Sequence, residues 1–75
     1  MVKFTDITFN EEWVCADAYD YDNNVKGTVR INRKTEQFLT DCNKKNQFNK
    51  GMLYVLIDVN EGKIKQNGER VVAWG

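Results

Sequence analysis

Met52-Leu53-Tyr54-Val55-Leu56-Ile57-Asp58-Val59 is the most apolar run in the chain, and its reading decides the fold. It is short, rich in β-branched and aromatic side chains, and closed by Asn60-Glu61-Gly62, a pattern that predicts a strand followed by a turn. Alternation places Leu53, Val55, Ile57 and Val59 on one face, and Met52, Tyr54, Leu56 and Asp58 on the other. Three of the four residues on the second face are bulky, so the expectation is a central strand covered on both sides.

Downstream, Asn60-Glu61-Gly62 fits a three-residue hairpin loop with Gly62 in the left-handed position. Asn67-Gly68 is the strongest single turn signal, and a hairpin around it sets Ile64 opposite Val71 and Lys65 opposite Arg70. Arg70 to Trp74 reads as the closing strand, with Trp74 holding it down. Upstream, residues 33–50 allow two readings. Either Gln37–Asp41 is a strand after a turn, or Thr35 caps a helix carrying Phe38, Leu39 and Cys42. The three asparagines between residues 43 and 49 favour the strand, followed by a loop with about one helical turn.

The first third is better determined. Val2 to Phe9 reads as a strand whose apolar parity changes midway, from Val2 and Phe4 to Ile7 and Phe9, as a bulge near Thr5-Asp6 would require. Trp13–Tyr21 and Val25–Asn32 read as strands joined through Asp22-Asn23-Asn24. A two-residue Asn23-Asn24 loop would set Ala18 against Val29, Ala16 against Ile31 and Asp17 against Arg30. Val14, Ala16, Ala18, Val29 and Ile31 then face inward. Trp13, Tyr19, Tyr21, Lys26 and Arg30 share the outer face.

These elements predict one mainly β domain over residues 1–75. It has five to seven short antiparallel strands in a meander or small barrel, with at most one short helix between residues 35 and 50. An α+β arrangement is the alternative. Seventy-five residues lie near the lower limit for folding on one unstapled core. Only Cys15 and Cys42 are present, which is not a disulfide framework. Residues 1–6 contain no apolar signal region, and no apolar run is long enough for a bilayer. A cytoplasmic protein with reduced thiols and no membrane association is expected.

The chain has no histidine, which removes histidine-based triads, metal ligands and pH switches together. Asp20-Tyr21-Asp22-Asn23-Asn24 begins like a calcium loop. However, Val25 stands where the loop needs glycine, and Ile31 where it needs a bidentate glutamate. Neither cysteine has a partner that would activate it, and no phosphate loop or nucleophile elbow occurs. No catalytic residue, metal or cofactor is therefore expected.

Net charge is zero but uneven. Residues 1–24 hold one basic residue against six acids, and residues 25–75 hold ten against five. Such asymmetry marks either separate binding surfaces or opposite charges facing each other across one sheet. The aromatic and charged stripe of Trp13, Tyr19, Tyr21, Lys26 and Arg30 is the candidate binding surface. The expected role is a non-enzymatic interaction module binding a protein partner, or a second copy of itself as a homodimer. The alternative is single-stranded nucleic acid stacked on the same aromatics, with Lys44, Lys45 and Lys50 following the phosphates. The acids Asp17, Asp20 and Asp22 beside those tyrosines disfavour it.

Overall fold

Among the described residues, five strands and one helix follow in the order β1 (Val2–Phe9), β2 (Trp13–Asp20), β3 (Val25–Asn32), β4 (Phe38–Thr40), α1 (Lys45–Asn60) and β5 (Gly68–Val72). The computed structural model describes the backbone of residues 1–42 and 45–73, and the side chains of all of these except 45–47. The strands form one antiparallel sheet in the order β4-β3-β2-β1-β5. The mainly β expectation holds, as a four-strand meander to which β5 adds beside β1. The helix links the two edge strands, and no described helix is long and apolar enough to cross a membrane.

Met52–Val59 is helical, not extended, and this is the largest correction to the sequence reading. Phe48, Met52, Val55, Leu56 and Val59 are buried, at helical spacings that place all five on one stripe against the sheet. Tyr54 and Ile57, 45% and 51% exposed, face away from it. Their apolar character fills the gaps in the helical pattern and makes an amphipathic helix resemble a two-sided strand. Strand propensity is a weak preference that packing overrides.

The Asn60-Glu61-Gly62 signal has a different owner for the same reason. Gly62 is left-handed, φ 74°, but it ends a helix instead of turning a hairpin. Its N–H donates to the Val59 carbonyl at 3.1 Å, and the Lys63 N–H to the Asp58 carbonyl at 2.8 Å. This is the double bond pattern that closes a helix at a left-handed glycine. The helix also extends beyond residue 50, the limit set for it by the sequence.

At Asn67-Gly68 the turn is present but the expected hairpin is not. Asn67 is left-handed, φ 64°, and its N–H donates to the Ile7 carbonyl at 2.7 Å, feeding β5 onto β1. Val71 pairs with Lys3, and Val72 with Val2, in place of the Ile64 and Lys65 hairpin. Trp74, read as an anchor, lies outside the described residues.

The early chain follows the sequence more closely. Asp6, φ 50°, is the bulge that lets Val2, Phe4 and Ile7 all point inward. The β2–β3 register is shifted by two residues from the expected one. Ala18 pairs with Gly27, Ala16 with Val29, Val14 with Ile31 and Asp17 with Thr28, so the loop is Tyr21–Asn24. An even shift leaves every side chain on its expected face. Gly27 is required here, because a Cβ at that position would lie 2.8 Å from Cys42 Cβ and 3.4 Å from the Phe48 ring.

The helix assignment has a direct test in urea denaturation. Met52→Ala is expected to cost about 2–5 kcal/mol, as for other buried large-to-small changes. Ile57→Ala is expected to cost under about 0.5 kcal/mol, as at exposed sites. On a strand covered on both faces the two losses would be similar.

Candidate functional site

The helix covers one side of the sheet only. Val2, Phe4, Ile7, Val14, Ala16, Ala18, Val29 and Ile31 are buried beneath it, together with Val72 of β5. The opposite face carries Asp17, Lys26, Thr28 and Arg30 as exposed side chains, flanked by half-buried Trp13, Cys15 and Tyr19. Two open, shallow troughs lie side by side on it and share Asp17, Thr28 and Asp41. One runs past Cys15, Arg30 and Leu39, and the other past Lys3, Tyr19, Tyr21 and Lys26.

Strand pairing sets the layout in rows. Val71, Lys3, Tyr19 and Lys26 stand side by side across β5, β1, β2 and β3. In the next row on the same face, Thr5, Asp17 and Thr28 are neighbours. In the one after that, Thr8, Cys15, Arg30 and Leu39 align. Rows carrying Lys3, Lys26 and Arg30 therefore bracket a row that carries Asp17, with Asp41 beside Thr28 at its edge.

Two cation–π contacts organise the charges. The Arg30 guanidinium lies 4.7 Å from the centre of the Trp13 ring, and Lys26 Nζ lies 5.8 Å from that of Tyr19. Each contact stabilises by about 0.5–1 kcal/mol at an exposed site. Tyr19 and Tyr21 meet edge to face at 4.6 Å, 77° apart. The Tyr19 hydroxyl donates to Asn24 Oδ1 at 2.5 Å, which ties the ring to the loop. The edge of β3 is closed by Asp41. Its Oδ1 accepts from the Thr28 N–H at 2.9 Å, and Thr40 Oγ1 donates to the Thr28 carbonyl at 2.8 Å.

The loop that carries Tyr21 is held by Asp20, which is only 3% exposed. Asp20 Oδ2 accepts from the Asn23 side-chain amide at 2.9 Å, and Oδ1 accepts from the Asp22 N–H at 3.0 Å and the Asn23 N–H at 3.3 Å. The Asn23 amide is the main influence holding the Asp20 carboxyl below its ordinary range. Burial opposes it, and the two backbone N–H groups and the N-terminal charge assist. Asp22 takes the N-terminal ammonium at 2.6 Å. Of the two carboxylates of the calcium-like sequence, Asp20 is thus engaged by the loop and Asp22 by the N-terminus. Among the described residues, no group of three or more histidine, cysteine or acidic side chains could hold a metal.

All five residues of the predicted stripe are on or beside this face. Tyr21 differs in belonging to the loop, where it is 47% exposed. Sequence reasoning missed Lys3 and Asp41 as members, and it gave Asp17 the wrong neighbour, Arg30 in place of Thr28. Parity on β1 up to the bulge would have placed Lys3. Lys44 lies outside the described residues, as does the side chain of Lys45. Cys15 is on the outer face while Cys42 packs beside Gly27 and the Phe48 ring, and no disulfide joins them. No protein-family model, curated protein or solved structure matches this chain.

The Asp20 arrangement makes stability depend on acid in a defined direction. Its folded pKa lies below the ordinary 3.8, so the ionised carboxylate stabilises the fold above that value. That contribution is lost as pH falls through the lowered folded value. Asp20→Asn is expected to be less stable than the parent at neutral pH by about 1–2 kcal/mol. Melting followed from neutral pH to below about pH 4 should show a smaller loss in the variant than in the parent.

Proposed function

We propose that this protein is a non-enzymatic interaction module that binds a protein partner through the outer face of its sheet. One observation carries the reading. The outer face is left uncovered by the helix, yet it presents the Trp13–Arg30 and Tyr19–Tyr21–Lys26 clusters side by side. Aromatic and arginine side chains in contact, framed by mixed charge, are the composition of protein interfaces. Single-stranded nucleic acid is the weaker reading, because Asp17 and Asp41 line the same troughs and would repel a phosphate backbone. We place the protein in the cytoplasm, where Cys15 and Cys42 would stay reduced. Self-association through the same face is the homodimeric form of this function.

The reading is tested by affinity capture from a lysate of the source organism, with and without nuclease, using the tagged chain and a Tyr21→Ala/Arg30→Ala variant. Both changed residues are exposed, so the variant should melt within a few degrees of the parent. A stoichiometric protein that survives nuclease and is depleted at least tenfold by the variant is the expected outcome. Retention of that partner by the variant would remove the outer face from the interaction. Recovery of nuclease-sensitive material alone would promote nucleic acid in its place.

A further inference from the structure

We infer that the outer face takes an extended segment of a different protein whose inward-pointing residues read acid–x–base–x–acid along the strand direction. The inference rests on the interaction-module reading and specifies its partner. Lys26, Thr28 and Arg30 follow one another on the same face of β3, and Asp17 stands beside Thr28. Lys26 and Arg30 are four strand residues apart, about 13 Å, and Asp17 lies midway at about 7 Å from either row. An extended ligand has the same period, so its residues i, i+2 and i+4 would meet the three rows in turn.

The charges on β2 and β3 in those rows are unspent. Among the described residues, Asp17, Lys26 and Arg30 form no ion pair. Among the described residues the Arg30 guanidinium also makes no hydrogen bond, and it lies on Trp13. That contact holds the guanidinium beside the ring, and a guanidinium suits bidentate capture of a carboxylate. Lys26 is held over Tyr19 and is the cation the first acid would meet, since Lys3, on the neighbouring strand in the same row, is paired with Glu69 at 3.8 Å. Between the two cationic rows, Asp17 calls for a base. A phosphate backbone, negative at every step, matches two rows and is repelled by the third.

The occupant is unlike this chain. Each acidic residue here is followed, at the second and fourth positions, by something other than a base and then an acid. Glu61-Gly62-Lys63-Ile64-Lys65 comes nearest and ends on a lysine. A second copy therefore has no segment with the required pattern.

Fluorescence anisotropy with the full chain at low salt tests the pattern. Three labelled nine-residue peptides on a threonine–valine background carry glutamate, lysine and glutamate at their third, fifth and seventh positions, the reversed charges, or glutamine throughout. A twelve-residue oligothymidylate is the fourth probe. The glutamate–lysine–glutamate peptide is expected to bind at least tenfold more tightly than the reversed or neutral peptide. The order should invert in a Asp17→Lys/Lys26→Glu/Arg30→Glu variant. Should that variant fail to fold, the comparison of peptides on the parent decides alone. Equal affinities, no binding by any peptide, or preference for the oligonucleotide would overturn the inference. If capture from lysate still depends on Tyr21 and Arg30 in that event, only the charge pattern falls. If capture is independent of them, the interaction reading falls as well.

Discussion

The packing of the Phe48–Met52–Val55–Leu56–Val59 stripe against the inner face of the sheet is the contact on which the remaining structure depends. A five-stranded sheet needs at least one covered face to be stable in water, and among the described residues the 16-residue α1 covers it. The helix fits closely over β3 because Gly27 has no Cβ to oppose Cys42 and Phe48. Its far end is tied down by charge. Asp58 Oδ2 accepts from Arg70 Nε of β5 at 2.6 Å, and Asn60 Oδ1 accepts from the Arg33 guanidinium at 2.9 and 3.2 Å. The meander therefore has one dry face and one that water or a partner must cover.

What could be read from the sequence follows from which signals are local. The β1 bulge, the β2–β3 hairpin and the division of its residues between two faces rest on period-two alternation over eight-residue strands. Those signals survive an error of two in register, since parity is unchanged. Met52–Val59 is a harder case. Eight residues with seven apolar side chains satisfy both periodicities, and only the position of Phe48, one turn upstream among asparagines, favours the helix. The left-handed glycine after it closes a helix or a hairpin equally well. Which of the two it does depends on contacts with the sheet that no local pattern contains.

The same logic accounts for the site. Trp13, Tyr19, Lys26 and Arg30 were legible because strand parity alone places them outward. Their pairings were not, because the length of the loop decides who stands beside whom. Asp20 lengthens that loop. Its carboxylate takes three donors from Asp22 and Asn23, which a two-residue turn could not offer. The four-residue loop sets Asp17 beside Thr28 instead of Arg30. A buried side-chain bond in a loop therefore keeps the central acid and the neighbouring base apart.

That separation changes the character of the face. In the register with Asp17 opposite Arg30, the two charges would neutralise each other and the stripe would be a self-satisfied sheet surface. Moved by two residues, Arg30 stacks on Trp13 and Asp17 stands between threonines. The uneven charge of the sequence, acidic before residue 25 and basic after it, then does not cancel across the β2–β3 hairpin. It appears as alternating rows on a surface with aromatic side chains at both ends. Exposed ion pairs contribute little to folding, so pairing these charges would add little stability. Under the proposed interaction role, unpaired charges at fixed spacing would discriminate between partners by sign and position.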